Sequence, residues 1–373
     1  MKDFARKAAL AVALAAGVAA PVAAQDYVYG SWVPATDWLN AGALPEMFNR
    51  IAEETDGEIT WELMPGGQLA GGVETFAAVR DLLMDAGVAV PTYVPDLTPA
   101  MSMLYSTVVP GSDPVAAAGA SVETIMLNCP SCLAEARAQD ALPLGGYAGA
   151  PFYLMCRQPI TTVEDIRGKR VRASGASLGI LNEAGAQVIS ASLTEAVTLL
   201  QRGGLDCVAG VSGWLKTFGY GEFAKHVTDF SLGVSSPVLA LWLNREVFKA
   251  MTRDQQIAHL RGAAYVGATQ TIDLFIKQNA DNVAQAVSEF GVEFVPVGED
   301  FDTMMAAYQA QERESHISRA EGFGVADAAQ IYDSYAELLV KWRALSEEIG
   351  EDVEKFAEVL WDEVYSKVDP DDL

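Results

Sequence analysis

Histidine is almost absent from this 373-residue chain, basic residues are half as numerous as acidic ones, and only four cysteines occur. Each scarcity removes a class of function. His226, His259 and His316 are the three histidines, and none stands at metal-ligand spacing from another. All three are read as structural or surface residues, and neither a bound metal nor a cofactor is expected. Twenty-five Lys and Arg against 50 Asp and Glu give a formal net charge of −25. That sign argues against nucleic acid, whose binding rests on neutralising phosphates. It suits a soluble, self-repelling protein that meets small ligands or a basic partner surface. Long apolar runs are missing too: Ala8–Ala20 is the longest candidate, short of the ~20 residues a spanning helix needs.

That run has another explanation. Lys2, Arg6 and Lys7 precede it, Pro21 follows, and Val22-Ala23-Ala24 fits the small-residue cleavage rule. Residues 1–24 are therefore expected to be an export signal, with Gln25 opening the mature chain outside the cytoplasm. Its loss removes three basic residues and one acidic residue, leaving 22 against 49 and a net charge of −27. A mature chain of that length suggests two domains.

An even number of cysteines in an exported chain implies two disulfides. Cys129-Pro-Ser-Cys132 follows a predicted helix, Val115–Leu127, whereas a redox CxxC occupies a helix N-terminus, where the dipole lowers the thiol pKa. The motif is read as a local structural bridge. Cys156 and Cys207 lie on predicted strands of one half and can pair across neighbouring strands. A single CxxC with no second pair or histidine nearby is a poor zinc site.

The mature chain opens with alternating elements: strand Tyr27–Val33, a helix from about Asp37 to Thr55, strand Ile59–Met64, a Pro65-Gly66-Gly67 turn, helix Val73–Met84 and strand Ala86–Val94. This order predicts a parallel sheet with helices on its faces. A second series follows, with strands Tyr147–Arg157, Lys169–Ala173, Gln187–Ser190 and Asp206–Val211 and helices Leu178–Ala184 and Leu193–Arg202. Val238–Leu243 is read as a strand returning to the first half. Helices Arg253–Asn282, Asp302–Glu321 and Ala326–Ile349 come after it, with one late strand, Val292–Val297, and a frayed acidic tail, Asp369–Asp372. The expected fold is α/β with two domains, a hinge and long C-terminal helices. Residues 25–145 with about 232–290 form one domain, 146–231 with about 291–325 the other, and the helices of 326–373 pack on both.

Thr162–Gly175, TVEDIRGKRVRASG, carries the candidate site. A short basic strand places Arg172 at its end, before a predicted helix. A guanidinium there meets a carboxylate bidentately and stays charged at any working pH. Aromatic residues at strand ends supply pocket walls: Trp32, Tyr93, Tyr147, Phe152, Trp214 and Trp242, with Trp32 and Trp214 foremost because a strand gives way to a loop at each. Gln68 is a candidate polar contact. The opposing reading of each aromatic is plain core. Gly175-Ala176-Ser177-Leu178-Gly179 also matches the G-x-S-x-G nucleophile elbow, which makes a secreted serine hydrolase the enzymatic rival. No histidine falls in a convincing strand-end loop, and the glycines and Ser177 are explained by a tight turn and a helix cap.

Four stretches resemble the periplasmic solute-binding component of tripartite ATP-independent periplasmic (TRAP) transporters, the DctP-like family. They are Phe48–Gly57, the Met64-Pro65-Gly66-Gly67-Gln68-Leu69 loop, Val163–Arg172 and Leu193–Cys207. The resemblance implies two domains closing on a small organic acid in the periplasm. It also implies Arg172 as the carboxylate-binding arginine and a membrane permease of separate chains as partner. The protein is then no enzyme, and a monomer or homodimer. The chain departs from the family pattern after Asp206, where Cys207-Val208-Ala209-Gly210-Val211 replaces a polar stretch that relatives use beside the carboxylate or on a metal. With Trp214 following, the departure favours a monocarboxylate of apolar or aromatic body.

Overall fold

The computed structural model describes residues 25–109, 111 and 113–373, so the expected export signal lies outside the described residues. The chain lays down β1 (Gln25–Gly30), β2 (Ile59–Met64), β3 (Ala86–Ala89) and β4 (Ala141–Tyr147), then enters a second sheet. There it forms β5 (Phe152–Cys156), β6 (Arg170–Arg172), β7 (Gln187–Ile189), β8 (Cys207–Val211) and β9 (His226–Thr228). β10 (Val238–Asn244) returns to the first sheet, and β11 (Glu293–Val295) completes the second. The orders are β2-β1-β3-β10-β4 and β11-β9-β5-β8-β6-β7.

β2, β1 and β3 run parallel, as the alternating elements predict, because each is joined by a crossover long enough to hold a helix. Helix Leu44–Glu54 shows why it packs there: Pro45 at its start suits the first turn, and Leu44, Met47, Phe48 and Ile51 recur at helical spacing and are buried. β10 and β4 lie antiparallel beside that core. In the second sheet β6 is parallel to β7 and β8, while β5 is antiparallel to β8 and β9.

Several expectations are corrected. Tyr147–Arg157 is not one strand. Tyr147 ends β4, Pro151 interrupts the ladder because it has no N–H to donate, and Phe152 starts β5 in the other sheet. Ala86–Val94 likewise stops at Ala89, since Pro91 opens a short helical turn, Pro91–Tyr93. The Cys129–Cys132 motif does sit at a helix N-terminus. Cys129 caps helix Pro130–Ala138, and its Sγ accepts the Cys132 N–H at 3.0 Å. Both cysteines are fully buried and joined to each other, as are Cys156 and Cys207 across β5 and β8. The acidic tail is docked: Asp369 pairs with Arg253 at 2.7 Å, and Leu373 is buried.

The predicted helix Arg253–Asn282 runs on to Phe290, with Gln270–Gln278 widened into π-helical turns. Its far end reaches the second half, where Asn279 Oδ1 accepts from Gly213 N at 2.9 Å. Helix Asp300–Gly322 packs on Pro99–Ser106, Ala176–Glu183 and Ala328–Ile349. Helix Ala328–Ile349 lies tight on Pro114–Glu123 because Gly119 has no side chain there; a Cβ would stand 2.1 Å from the Trp342 ring.

Candidate ligand-binding site

Arg172 ends β6, between two parallel neighbours, at the carboxyl edge where open α/β sheets bind ligands. It is only 1% exposed. Its Nε donates to the Ala191 carbonyl at 2.9 Å and Nη1 to the Ala209 carbonyl at 3.4 Å. The Tyr93 hydroxyl accepts from the same guanidinium, and Tyr105 and Tyr220 lie within its field. Burial raises the pKa of all three phenols, against the opposing pull of Arg172, so they stay neutral. Arg172 makes no ion pair among the described residues. A desolvated cation whose hydrogen-bond partners are all neutral is costly unless an anion joins it.

Arg172 lines a cavity of about 50 Å³ between the two sheets, together with Trp32, Tyr93, Trp214, Leu274 and Phe275. Trp32 is fixed by Nε1, which donates to the Val88 carbonyl at 2.9 Å, and its ring lies 5.7 Å from that of Tyr93. Trp214 begins helix Trp214–Thr217 and lies over β8 because residue 210 is glycine; a Cβ there would stand 2.1 Å from its ring. The Val-Ala-Gly sequence of β8 thus makes room for an aromatic wall. Tyr147 stacks on Phe275 at 5.8 Å on the opposite side.

Five predicted residues therefore converge: Arg172, Trp32, Tyr93, Tyr147 and Trp214. Phe152 stands behind Trp214, edge-on at 5.6 Å, and supports that wall without lining the cavity. Trp242 and Gln68 are elsewhere. Trp242 is fully buried in the first sheet against Phe76, 5.1 Å away, because its side of β10 faces the helix Thr75–Arg80. Gln68 is exposed on its turn and donates to the Pro65 carbonyl at 3.0 Å, so the loop shapes the fold.

Sequence reasoning missed Asp37 and Gln270, both on the cavity wall. Asp37 is 7% exposed, and its Oδ1 accepts from Leu39 N at 2.9 Å. Burial raises its carboxyl pKa to about 6, partly offset by that bond. Gln270 is 1% exposed, and its Oε1 has no partner. The signal for Gln270 was Thr269-Gln270-Thr271, a polar run in the middle of an otherwise ordinary long helix. Asp37 looked like a helix start and offered no signal.

Ser177 is fully buried, and its Oγ donates to the Ser174 carbonyl at 2.7 Å. Gly175 has φ +58°, a turn conformation that favours glycine, and Gly179 lies against Tyr308, whose ring would stand 2.8 Å from a Cβ. The G-x-S-x-G pattern is thus accounted for by the turn and by helix packing. Of the histidines, His259 donates Nδ1–H to the Gln255 carbonyl at 2.7 Å and accepts at Nε2 from Trp61 at 3.2 Å. His316 lies between Thr107 and Tyr308.

Two α/β halves thus meet at an aromatic crevice that holds a buried cation. Residues 30–316 match the DctP family, bacterial extracellular solute-binding protein family 7, and the chain belongs to it. Among curated proteins it is 27% identical over 266 residues to the uncharacterized protein YiiZ of Salmonella typhimurium, covering 68% of this chain and 77% of YiiZ. Among solved structures, the fold matches a TRAP solute-binding protein from Rhodoferax ferrireducens T118 in complex with copurified benzoate. Its TM-score is 0.75 at 15% identity, over 86% of this chain and 99% of that one. A TRAP periplasmic solute-binding protein from Bordetella bronchiseptica with bound mandelate matches with TM-score 0.71 at 21% identity, over the same shares, 86% and 99%. The fold is that of two-domain TRAP solute-binding proteins.

Proposed function

We propose that this protein is the periplasmic solute-binding subunit of a TRAP transporter and that it captures a small organic monocarboxylate and presents it to a membrane permease. The observation that carries this reading is Arg172, buried in an aromatic cavity with hydrogen-bond partners that are all neutral among the described residues. The ligand carboxylate pairs with the guanidinium fork, and Trp32, Tyr93 and Trp214 cover its body. Both halves contribute walls, so a ligand touching both favours the closed arrangement over the open one. Closure excludes water and strengthens the ion pair. Benzoate and mandelate in the fold relatives are monocarboxylates with aromatic bodies, which suits these walls. Membership of the family supports delivery to a permease and residence in the periplasm. Among the described residues no helix is long and apolar enough to cross a membrane, so anchoring would need another element.

The test is a thermal-shift screen of the mature protein against small carboxylates, with neutral sugars and amines as controls. A ligand that binds only the folded state raises the melting temperature in proportion to the logarithm of its concentration. Shifts confined to carboxylates, and lost in Arg172→Ala, are expected. A sugar or amine hit with silence from every acid would overturn the assignment.

A further inference from the structure

The cavity has a second polar end, built by groups from the first half of the fold. Asp37 follows β1 on the loop into the π-helical turn Leu39–Ala43, and Gln270 opens the π-helical stretch Gln270–Gln278. The two widened turns pack against each other. Such turns are uncommon and recur at functional sites, because the extra residue per turn redirects a side chain. Asp37 makes no ion pair among the described residues, although Arg172 lines the same cavity. The Gln270 amide bonds the Tyr147 phenol, and its Oε1 is left buried without a partner. Arg172 offers donors only, whereas Asp37 and the free Gln270 oxygen offer acceptors.

We propose that the transported acid carries, besides its carboxylate, a hydrogen-bond donor (a hydroxyl or an ammonium) that Asp37 and Gln270 Oε1 receive. This rests on the Arg172 reading above and narrows its substrate class to hydroxy or amino monocarboxylic acids. Buried acceptors left unpaired are expensive, so a parent acid lacking the donor is discriminated against. A dicarboxylate is rejected for a different reason: its second charge meets the Asp37 carboxylate and a carbonyl oxygen in a site shielded from water.

Isothermal titration of the mature protein with matched pairs tests the proposal: mandelate and phenylacetate, 3-hydroxybenzoate and benzoate, phenylalanine and 3-phenylpropanoate, lactate and propanoate. Isophthalate and succinate serve as diacids. In at least one pair the donor-bearing acid is expected to bind ten-fold or more tightly than its parent. Asp37→Ala and, independently, Gln270→Leu are expected to bring that ratio near unity. Circular dichroism and melting curves confirm that both variants fold. Asp37→Asn separates the two donors, because an amide still accepts from a hydroxyl but no longer balances an ammonium charge. Equal affinities within every pair, a ratio unchanged in both variants, or a diacid as the tightest ligand would overturn the proposal while leaving the carboxylate site standing. Failure of every acid to bind the wild-type protein would overturn both.

Discussion

Asp206 holds Arg170 by both Nε and Nη2, at 3.0 and 2.7 Å, on the partly exposed start of β6. Two residues further on, Arg172 has passed inside and meets no carboxylate among the described residues. One strand thus carries an arginine paired with a carboxylate and another hydrogen-bonded to neutral groups alone. Asp206 keeps the first from competing for anions, and burial prepares the second to receive one.

Arg172→Ala should therefore lower carboxylate affinity by roughly 100-fold or more, the scale of losing a desolvated charge partner. The unliganded variant should melt within a few degrees of the wild type, since an unpaired buried charge contributes little stability. Arg172→Lys should retain weak binding, because a point charge replaces the fork. Titration calorimetry and thermal unfolding measure the two effects separately. Unchanged affinity in Arg172→Ala would remove the basis of the site.

Gly210→Ala should damage the site from beneath. The added methyl has to displace the Trp214 ring, which lies 2.1 Å from the Cβ position. Overpacking of this kind costs about 1–3 kcal/mol. Ligand affinity should fall along with stability, and the change in Trp214 fluorescence on ligand addition should diminish. Wild-type affinity would mean that Trp214 is not a wall of the occupied cavity.

The two disulfides should contribute unequally. Cys156 and Cys207 are separated by 51 positions and link β5 to β8, whereas Cys129 and Cys132 are separated by only three. On the chain-entropy estimate the first constrains the unfolded chain by about 4 kcal/mol and the second by about 2 kcal/mol. Urea unfolding of the paired Cys→Ser variants measures the difference. A larger loss on removing Cys129–Cys132 would contradict it.

His259 should make the folded state sensitive to acid. Burial lowers its pKa from the usual 6.5 to about 4, and its Nε2 lone pair already accepts from Trp61. The unfolded chain binds the extra proton first, so this stabilisation is complete above pH 6.5 and lost as pH falls through about 4. The shift corresponds to about 3 kcal/mol. Glu135 and Glu312, both raised to about 7 by burial, act in the opposite sense over much of that window. The measurable quantity is therefore the difference between wild type and His259→Gln. The variant should lose less stability than the wild type between pH 6.5 and 4, and parallel pH profiles would refute the assignment.

Local chemistry was enough to read much of this protein. Strand alternation in Ile59–Met64, the Pro-Gly-Gly turn after it, the helical spacing of Leu44, Met47, Phe48 and Ile51, and the βαβ order all have causes within a few residues of themselves. Arg172 was legible for the same reason, since a short strand leading into a loop and a helix names its own end. The CxxC misled because the preceding helix was obvious, while the cap formed by Cys129 depends on backbone geometry that composition does not record.

The chain by itself determined two α/β halves, a cation at the end of one strand, and aromatic residues able to surround it. Tertiary structure alone decided which aromatics do so. Trp242 and Trp214 are both candidates in the sequence, yet the first faces a helix in the first sheet and the second lies over a glycine at the crevice. It also brought Asp37 and Gln270, separated by more than two hundred residues, to the same wall. A cavity between two halves is formed by contacts distant in sequence, and whether a polar side chain there finds a partner depends on where the folded chain places its neighbours.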